Sequence, residues 1–410
     1  MSAAGPSAAG HSADGGPALD PARDSASPAR RRLHPAVGTA RSAVRAALEE
    51  AGWPGRVLVA CSGGPDSLAL AAAVAHYARR GAVRGHGGAS HPLEAGAVVV
   101  DHRLQEGSGE VASTTARVLA ELGLSPVRVA AVDVQLTGEG PEAAARTARH
   151  AALAGEAEAW GAGAVLLGHT LDDQAEQVLL GIARGSGPRS LGAMRRVRGL
   201  LVRPFLGLRR ADTLDVCVAE GLEPWFDPTN EDPRFMRSRV RSAIMPFLEA
   251  ELGPGVAEGL ARTAALLGAD ADYLDDEARR TFTALAEIGS GDAEIGSGDA
   301  EIGSGDAEIG SARRDMTPQH REVTPGAGGG DAVVLRIDLP IDALRELPPA
   351  LRGRVLALAV TEIGGQPTFE RLGAVERLLE RRGSAGPVEV PGHVSAYRGR
   401  PGRLVLVSHR

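Results

Sequence analysis

Four short apolar runs in the first half of the chain alternate with longer segments whose apolar residues recur at helical spacing. The runs and the helical patterns between them lie at 57–61, 67–80, 97–100, 109–122, 127–134, 142–160, 164–167 and 172–184. Apolar runs of this length are typical of strands buried on both faces of a parallel sheet. We therefore predict an α/β domain with a doubly wound parallel sheet and ligand-binding loops at the carboxyl ends of its strands.

The patterning divides the chain into five segments. We expect a disordered tail at 1–34, where apolar periodicity is low, and the α/β domain over 35–210. Residues 211–286 have a mainly helical pattern, 287–332 have the composition of a linker, and 333–410 mix strand-like with helical runs. The sheet is thus predicted to be followed by a helical extension and a small C-terminal α+β domain.

Charge is distributed unevenly along a chain whose net charge is -7. Residues 184–210 contain eight Arg and no acidic residue, whereas 287–311 contain seven acidic residues and no basic one. The acidic stretch repeats the unit EIGSGDA, whose single Ile is too little for a coiled-coil seam, so its Gly and Ser favour a flexible linker. The basic stretch is either a phosphate-contacting surface or a solvated helical face.

Composition excludes several classes of function. All 45 basic residues are Arg, and without Lys the chain can form neither a Walker loop nor a lysine nucleophile. Two cysteines, Cys61 and Cys217, provide no disulfide framework and favour a reducing compartment. No apolar stretch approaches the roughly 18 residues of a membrane span. We expect a cytoplasmic protein without a membrane partner.

The first strand and helix are joined by the turn SGGPDS. Gly63 and Gly64 permit positive φ and close backbone approach, and Pro65 suits the first turn of a helix. Such a turn directs backbone N–H groups and the positive end of a helix dipole at one point, which attracts phosphate. An ordinary strand-to-helix connection is the alternative. The full string resembles the pyrophosphate-binding loop of the ATP pyrophosphatases, which split ATP into AMP and pyrophosphate.

A second motif, LGHTLDDQAEQ, leaves the fourth strand at His169 and enters a helix. Asp173, Glu176 and Gln177 are three and four residues apart and share one helical face. Asp172 and Asp173 could instead cap the helix. With the first turn, the string resembles the tRNA(Ile)-lysidine synthetase family, whose hallmark is Gly-His-x-x-Asp-Asp-Gln-x-Glu-Thr. Gln177 stands where the family usually has Thr, and the implied fold is adenine nucleotide alpha-hydrolase-like.

Further stretches resemble the same family in the same order. VDHRLQEGS resembles its second-strand motif, and EAAARTARHAAL resembles its Ala-Arg-x-x-Arg-Tyr helix, with His150 at the aromatic position. A later stretch resembles Asp-x-Ser/Thr-Asn-x-Asp followed by Arg-Asn-Arg-x-Arg, with Ser238 in place of Asn. The likeness covers about 53–280 well, and 340–410 more loosely resemble the family's accessory tRNA-binding domain.

The resemblance implies an enzyme that joins free lysine to C2 of the wobble cytidine of a tRNA(Ile) with a CAU anticodon. The C2 oxygen attacks the α-phosphate of ATP, pyrophosphate departs, and the ε-amine of lysine then displaces AMP. Free lysine has a pKa of roughly 10.4, so a carboxylate must accept its proton. The implied partners are ATP, Mg²⁺, lysine and the tRNA, and a homodimer is one assembly that we expect.

The resemblance also implies which residues form the site. The expected nucleotide-binding residues are Ser62, Gly63, Gly64, Pro65, Asp66, Ser67, Asp101 and His169. The expected catalytic residues are Asp66, which would also hold Mg²⁺, and Asp173 and Glu176, either of which would bind the lysine ammonium or accept its proton. The expected substrate-binding residues are Arg146, Arg149, Asp172, Gln177, Arg203, Asp227, Asn230, Arg237, Arg239 and Arg241.

Other functions compete with this one. A thiolating enzyme with the same first loop needs paired cysteines for sulfur or an iron–sulfur cluster, and the chain has no Cys-x-x-Cys. The amidating enzymes with this loop lack the His-x-x-Asp-Asp-Gln pattern. A nucleotide- or RNA-binding protein without catalysis is the alternative of a different class. Pyrophosphate release that depends on both RNA and lysine would distinguish them.

Overall fold

The computed structural model describes residues 33–101, 103, 107–132, 141–192, 194–228, 232–290, 335–380, 387–399 and 401–409. The predicted tail, apart from Leu33 and His34, therefore lies outside the described residues, as do Asn230 and most of the predicted linker.

The helices are α1 (Pro35–Glu50), α2 (Pro65–Ala78), α3 (Ser108–Glu121), α4 (Pro141–Trp160), α5 (Leu171–Ala183), α6 (Pro188–Leu191), α7 (Arg210–Glu220), α8 (Met236–Arg239), α9 (Met245–Leu252), α10 (Val256–Leu285), α11 (Ile341–Glu346), α12 (Pro349–Glu362) and α13 (Phe369–Glu380). A π-helical segment, Val240–Ile244, joins α8 to α9. The strands are β1 (Arg56–Cys61), β2 (Ala82–Arg84), β3 (Ser90–Pro92), β4 (Glu94–Asp101), β5 (Val127–Ala131), β6 (Ala164–Leu167), β7 (Val197–Arg198), β8 (Leu201–Val202), β9 (Glu287–Ser290), β10 (Leu335–Pro340), β11 (Val388–Val390), β12 (Val394–Gly399) and β13 (Arg403–Ser408).

The described chain forms two compact units. The first unit comprises the described residues up to Asp173 together with Arg195–Asp232. Its main sheet has the order β5-β4-β1-β6-β8-β7, in which every pair is parallel except β7 with β8. A separate two-stranded hairpin pairs β2 with β3. The sheet confirms the predicted α/β class and its parallel strands.

The central strand β1 buries both of its faces. Val57 and Val59 pack into one core with α1, α2, α3 and α7, whereas Leu58 packs into a second core with Leu153 and Ala157 of α4. Because successive side chains of a strand point to opposite faces, the apolar run supplies both cores at once. The helices thus cover the sheet on both sides, as a doubly wound fold requires.

The first unit extends beyond residue 210, where we predicted that the helical extension begins. Val216 and Cys217 of α7 are buried in the same core as α1 and α2. Burial in this core removes the apolar face of α7 from water, which favours its position against the sheet domain. The helical pattern was predicted correctly, but α7 belongs to the first unit.

The second unit comprises Gln174–Met194 and the described residues from Pro233 onward. Its helices α8 to α10 account for the predicted helical segment, with a break at Gly253 and Gly255, both at positive φ. Its sheet is antiparallel, with the order β11-β12-β13-β10-β9. Strand residues such as Ile337 and Leu404 share a core with Leu356 of α12, as expected of an α+β domain.

The predicted linker starts later than expected. Glu287–Ser290, the first four residues of the acidic repeat, pair with β10 as the edge strand β9. Ile288 lies opposite Ile337, and Glu287 forms an ion pair with Arg403. Backbone hydrogen bonds to an open sheet edge make a strand favourable without an apolar seam. The remaining repeats lie outside the described residues.

Among the described residues, no helix has both the length and the apolar content needed to cross a membrane.

The repeat predicts how a deletion will behave. Removing 287–307 joins Ala286 to Glu308, and the sequence EIGS then follows Ala286 as before. We expect β9 to be rebuilt and the melting temperature to stay within about 1 °C of the parent. Removing 287–311 leaves no EIGS, so an edge strand worth about 1–2 kcal/mol is lost and the melting temperature falls by about 2–8 °C. Equal melting temperatures for the two deletions would contradict the role of β9.

Candidate functional site

The turn between β1 and α2 begins with a glycine that the fold requires. Gly63 has a φ of +83, and a Cβ at this position would lie 2.7 Å from Oγ1 of Thr115. Gly64 has a φ of -72, so the expected positive φ occurs at Gly63 alone. Pro65 occupies the first turn of α2, as predicted. The turn therefore brings its backbone close to α3. It also places the N-terminus of α2 at the carboxyl end of β1.

Two serines close this turn. Oγ of Ser67 accepts a hydrogen bond from the backbone N–H of Ser62 at 3.1 Å and donates one to the carbonyl oxygen of Gly64 at 3.0 Å. Ser67 is buried, whereas Ser62 is exposed. The second serine of the motif thus holds the turn in shape, and the exposed one remains accessible to a ligand.

Neighbouring segments hold the turn from two sides. A Cβ at Gly168, just after β6, would lie 2.9 Å from the carbonyl carbon and oxygen of Asp66 and 3.0 Å from the backbone nitrogen of Ser67. The backbone N–H of Trp225 donates to the carbonyl oxygen of Gly63 at 2.9 Å. The glycine of the second motif is therefore explained by close backbone approach to the first.

A cavity of about 450 Å³ opens beside the turn within the first unit. Gly63 and Leu68 line one side, Thr115 of α3 lines another, and Glu223 and Trp225 complete the wall. Its volume lies in the range that holds small ligands, and its lining is both apolar and polar.

Asp66 lies at the centre of a charged cluster of the first unit. Oγ1 of Thr213 donates to its Oδ1 at 2.5 Å, and Nε of Arg210 lies 3.4 Å from its Oδ2. Nη2 of Arg210 also lies 3.3 Å from Oδ1 of Asp173. Burial raises the pKa of the Asp66 carboxyl, and Thr213 and Arg210 offset part of this rise. One guanidinium therefore bridges the aspartates of the two motifs.

The two aspartates at the start of α5 both cap helices. Oδ2 of Asp173 accepts hydrogen bonds from the backbone N–H and the hydroxyl of Thr170, at 2.8 and 3.1 Å. Oδ2 of Asp172 instead accepts the backbone N–H of Arg210 at 2.7 Å, and its Oδ1 lies 3.3 Å from Nη2 of Arg209. Asp172 therefore caps α7, a different helix from the one that contains it.

Glu176 forms an ion-pair cluster within the second unit. Its Oε1 accepts from Nε of Arg241 at 2.8 Å, and its Oε2 accepts from Nε of Arg237 at 2.9 Å and from Nη2 of Arg241 at 3.1 Å. Glu176 is only 2% exposed. Three of the predicted site residues thus come together, with one carboxylate between two guanidinium groups.

The other predicted acidic and nucleotide-site residues are more dispersed. Asp101 ends β4 at the carboxyl edge of the sheet, and its Oδ1 accepts the backbone N–H of Arg103 at 2.9 Å. His169 follows β6 at the same edge. Asp227 is half-buried close in sequence to Trp225. Asn230 lies outside the described residues.

The predicted cations of the first unit surround His150. Arg146 and Arg149 are exposed on α4, whereas Arg203 is buried. Nη1 of Arg203 donates a hydrogen bond to the carbonyl oxygen of Arg195 at 3.0 Å. Burial, followed by the charges of neighbouring arginines, lowers the pKa of Arg203 to about 10. Burial and Arg146 likewise lower the pKa of His150. The cluster is electropositive and suited to phosphate.

Two further predicted residues, Gln177 and Arg239, lie in the second unit outside the Glu176 cluster. The side chain of Gln177 is half-buried on α5. Nη1 of Arg239 donates to the carbonyl oxygens of Pro233 and Arg234, and the side chain is otherwise exposed.

Sequence patterns missed two residues of the Asp66 cluster and a third residue, in the second motif, that lies outside these clusters. Arg210 and Thr213 contact Asp66, and Gln174 forms reciprocal hydrogen bonds with the backbone of Met194, at 2.8 and 3.0 Å. In the sequence, Arg210 is one of the eight arginines of the basic stretch, and no motif indicates that it contacts Asp66. No spacing in the sequence relates Thr213 to a turn almost 150 residues earlier.

The cluster around Asp66 contains carboxylate oxygens, the kind of ligand that Mg²⁺ binds. Within the described ranges, no group of three or more His, Cys, Asp or Glu residues is placed to hold a metal ion. Mg²⁺ bound with a nucleotide needs only one or two protein carboxylates, because phosphates and water complete its shell. Asp66 and Asp173, bridged by Arg210, supply that donor set. The residues fit a nucleotide-borne Mg²⁺.

Comparison with known proteins finds two family models that match the chain. A family model described as the PP-loop domain matches residues 40–248, and one described as the TilS substrate binding domain matches residues 339–400. A tRNA(Ile)-lysidine synthase of Salinispora tropica is 42% identical over 382 residues, which cover 92% of this chain and 97% of that protein.

The chain belongs to the tRNA(Ile)-lysidine synthase family.

Two further members support the assignment. The synthase of Leifsonia xyli subsp. xyli is 45% identical over 340 residues, covering 82% of this chain and 85% of that protein. The synthase of Thermobifida fusca is 52% identical over 257 residues, covering 63% of this chain and 75% of that protein. The resemblance seen in the two motifs is thus confirmed over most of the chain.

Gly168 provides a test of the packing behind the turn. An Ala there puts a methyl group against the backbone of Asp66, and the turn must shift. We expect Gly168→Ala to weaken ATP binding at least about tenfold, because a displacement near 1 Å at a binding group is costly. The control is Gly155→Ala on α4, where a Cβ meets no atom within 4 Å. Calorimetric ATP binding that is equal in the two variants would refute the contact.

Glu176 provides a test of the ion-pair cluster. Glu176→Gln leaves two guanidinium groups without their carboxylate, and we expect unfolding in urea to lose about 2–3 kcal/mol, since both arginines keep partial contact with water. The control Asp276→Asn breaks an exposed pair with Arg279 and should cost at most about 0.5 kcal/mol. Equal losses in the two variants would show that the cluster adds no stability.

Proposed function

We propose that this protein joins lysine to C2 of the wobble cytidine of tRNA(Ile) with a CAU anticodon, at the expense of ATP. Membership of the synthase family supports the overall reaction. The observation that carries the proposal is the placement of Asp66 at the N-terminus of α2, in a cluster with Asp173 from the second motif.

The first half-reaction is adenylation of the cytidine. The C2 oxygen attacks the α-phosphorus of ATP, a new P–O bond forms, and the bond to the pyrophosphate leaving group breaks. The nucleoside would occupy the cavity beside Trp225, with the phosphates at the turn formed by 62–67. Backbone N–H groups and the N-terminus of α2 would stabilise the negative charge on pyrophosphate.

Mg²⁺ held by Asp66, with Asp173 nearby, would neutralise charge on the triphosphate. Arg210 bridges these two carboxylates, so its positive charge keeps them together before the nucleotide binds.

The second half-reaction transfers lysine. The ε-amine attacks C2, the C–O bond to the adenylate breaks, and AMP leaves with that oxygen. The amine must lose a proton to attack, and Asp173 or Glu176 would bind the ammonium or accept the proton. Within their own units Asp173 is engaged by Arg210 and Glu176 by Arg237 and Arg241, so lysine has to share or displace a guanidinium.

Basic residues would bind the tRNA. We assign phosphate contacts to the cluster of Arg146, Arg149 and Arg203 in the first unit, and to Arg239 and its neighbours in the second. The domain at 339–400 would contribute further tRNA contacts. We expect a cytoplasmic enzyme and a homodimer, which sedimentation would detect.

The reaction is tested with purified protein, ATP, Mg²⁺, radiolabelled lysine and separate transcripts of tRNA(Ile) with CAU and tRNA(Met). We expect pyrophosphate release and lysine incorporation with the first transcript only. Pyrophosphate release without lysine incorporation would favour another chemistry. Absence of both signals would favour a nucleotide- or RNA-binding protein without catalysis.

Partial reactions assign the carboxylates. Asp66→Ala should abolish pyrophosphate release, because the charge partner of the triphosphate is lost. At least one of Asp173→Asn and Glu176→Gln should still form adenylated tRNA yet transfer lysine about 100-fold more slowly, with partial recovery at high lysine concentration. If both variants lose the two half-reactions equally, neither carboxylate is specific to lysine.

A further inference from the structure

We propose that Thr213 is a positioning residue that fixes the carboxylate of Asp66 for the phosphates of ATP and their divalent cation. The inference rests on the proposed function for the reaction itself, but its first consequence is a property of nucleotide binding alone.

The hydroxyl of Thr213 is aimed at Asp66 from a fully buried position. The residue is 0% exposed, and its Oγ1 lies 2.5 Å from Oδ1 of Asp66 and 2.8 Å from the carbonyl oxygen of Arg210. A hydroxyl has one proton and can donate to only one of these oxygens at a time. The ionised carboxylate is the stronger acceptor, so the proton is directed to Asp66 rather than to the carbonyl of its own helix.

The first turn of α7 holds Thr213 in place. The backbone N–H of Arg209 donates to Oδ2 of Asp212 at 2.8 Å, and the backbone N–H of Arg210 donates to Asp172 at 2.7 Å. Val216 and Cys217, one turn later, are buried in the core with α2. Thr213 therefore has little freedom to follow Asp66 if the carboxylate moves, and a rigid donor of this kind defines the orientation of its acceptor.

The two oxygens of Asp66 consequently differ. Oδ1 receives the short hydrogen bond from Thr213, whereas Oδ2 has the longer contact of 3.4 Å with Arg210. Thr213 thus holds the carboxylate by Oδ1. The other oxygen, Oδ2, can then exchange its contact with the Arg210 guanidinium for a contact with the cation of a nucleoside triphosphate. The aspartate is oriented before the nucleotide arrives, which reduces the cost of ordering it during binding.

The test compares Thr213→Val, which keeps the shape and removes the hydroxyl, with Thr213→Ser, which restores it. The control Thr39→Val removes an exposed hydroxyl that donates to the carbonyl oxygen of Pro35 in its own helix. Binding of ATP is measured by calorimetry over a series of Mg²⁺ concentrations, and kcat and KM are measured for ATP and for lysine. Circular dichroism and melting temperatures establish that each variant is folded.

We expect Thr213→Val to require about 10–100-fold more Mg²⁺ for the same ATP affinity and to lower kcat for adenylation by a similar factor. The KM for lysine should change by less than about twofold, and Thr213→Ser should recover to within about threefold of the parent. Thr39→Val should match the parent throughout. A merely structural role would alter the melting temperature without a selective effect on Mg²⁺ dependence.

The inference is overturned if folded Thr213→Val binds ATP with the parent's Mg²⁺ dependence, or if Thr213→Ser is as impaired as Thr213→Val. If Thr213→Val does not fold, Thr213→Ala, which places no methyl group against the carboxylate, is judged by the same criteria. A parent protein that binds ATP but never incorporates lysine would refute the proposed function and leave this test intact.

Discussion

The partly buried carboxylate of Asp66 is the constraint on which the rest of the first unit depends. A charge withdrawn from water must be paired or hydrogen-bonded, and here Thr213 and Arg210 supply both kinds of partner. Both partners lie on α7, which packs through Val216 into the core shared with α2. The turn formed by 62–67 and the helix more than 140 residues later are therefore held together by these contacts.

Helix capping and site formation use the same side chains. Asp173 caps α5 while it pairs with Arg210, and Asp172 caps α7 while it pairs with Arg209. Each carboxylate satisfies backbone N–H groups that would otherwise have no partner. Substitutions at these positions consequently affect helix stability and the charge of the site together, which is why partial reactions and matched controls are needed to separate the two effects.

Glu176 joins separate elements of the second unit. Its buried carboxylate accepts three hydrogen bonds from Arg237 and Arg241. These contacts connect α5 with α8 and with the π-helical segment that follows α8. The hydrogen bonds offset the free-energy cost of withdrawing the carboxylate from water.

Features that depend on local chemistry and periodicity could be predicted from the sequence. The apolar runs located β1, β4, β5 and β6, the string SGGPDS located the turn before α2, and the two motifs together indicated the family. These patterns are readable because burial on both faces of a strand and the start of a helix each demand particular residue types at short spacing. The α+β character of the C-terminal segment was predicted on the same grounds.

Contacts between side chains far apart in the chain could be known only from the folded structure. It assigned positive φ to Gly63 and not to Gly64, placed α7 against the sheet, and made β9 from residues with the composition of a linker. It also showed Asp172 capping α7 and Thr213 donating to Asp66. Such pairings join segments far apart in the chain, and no local periodicity encodes them. They follow from which surfaces the core brings together and which buried charges must then be satisfied.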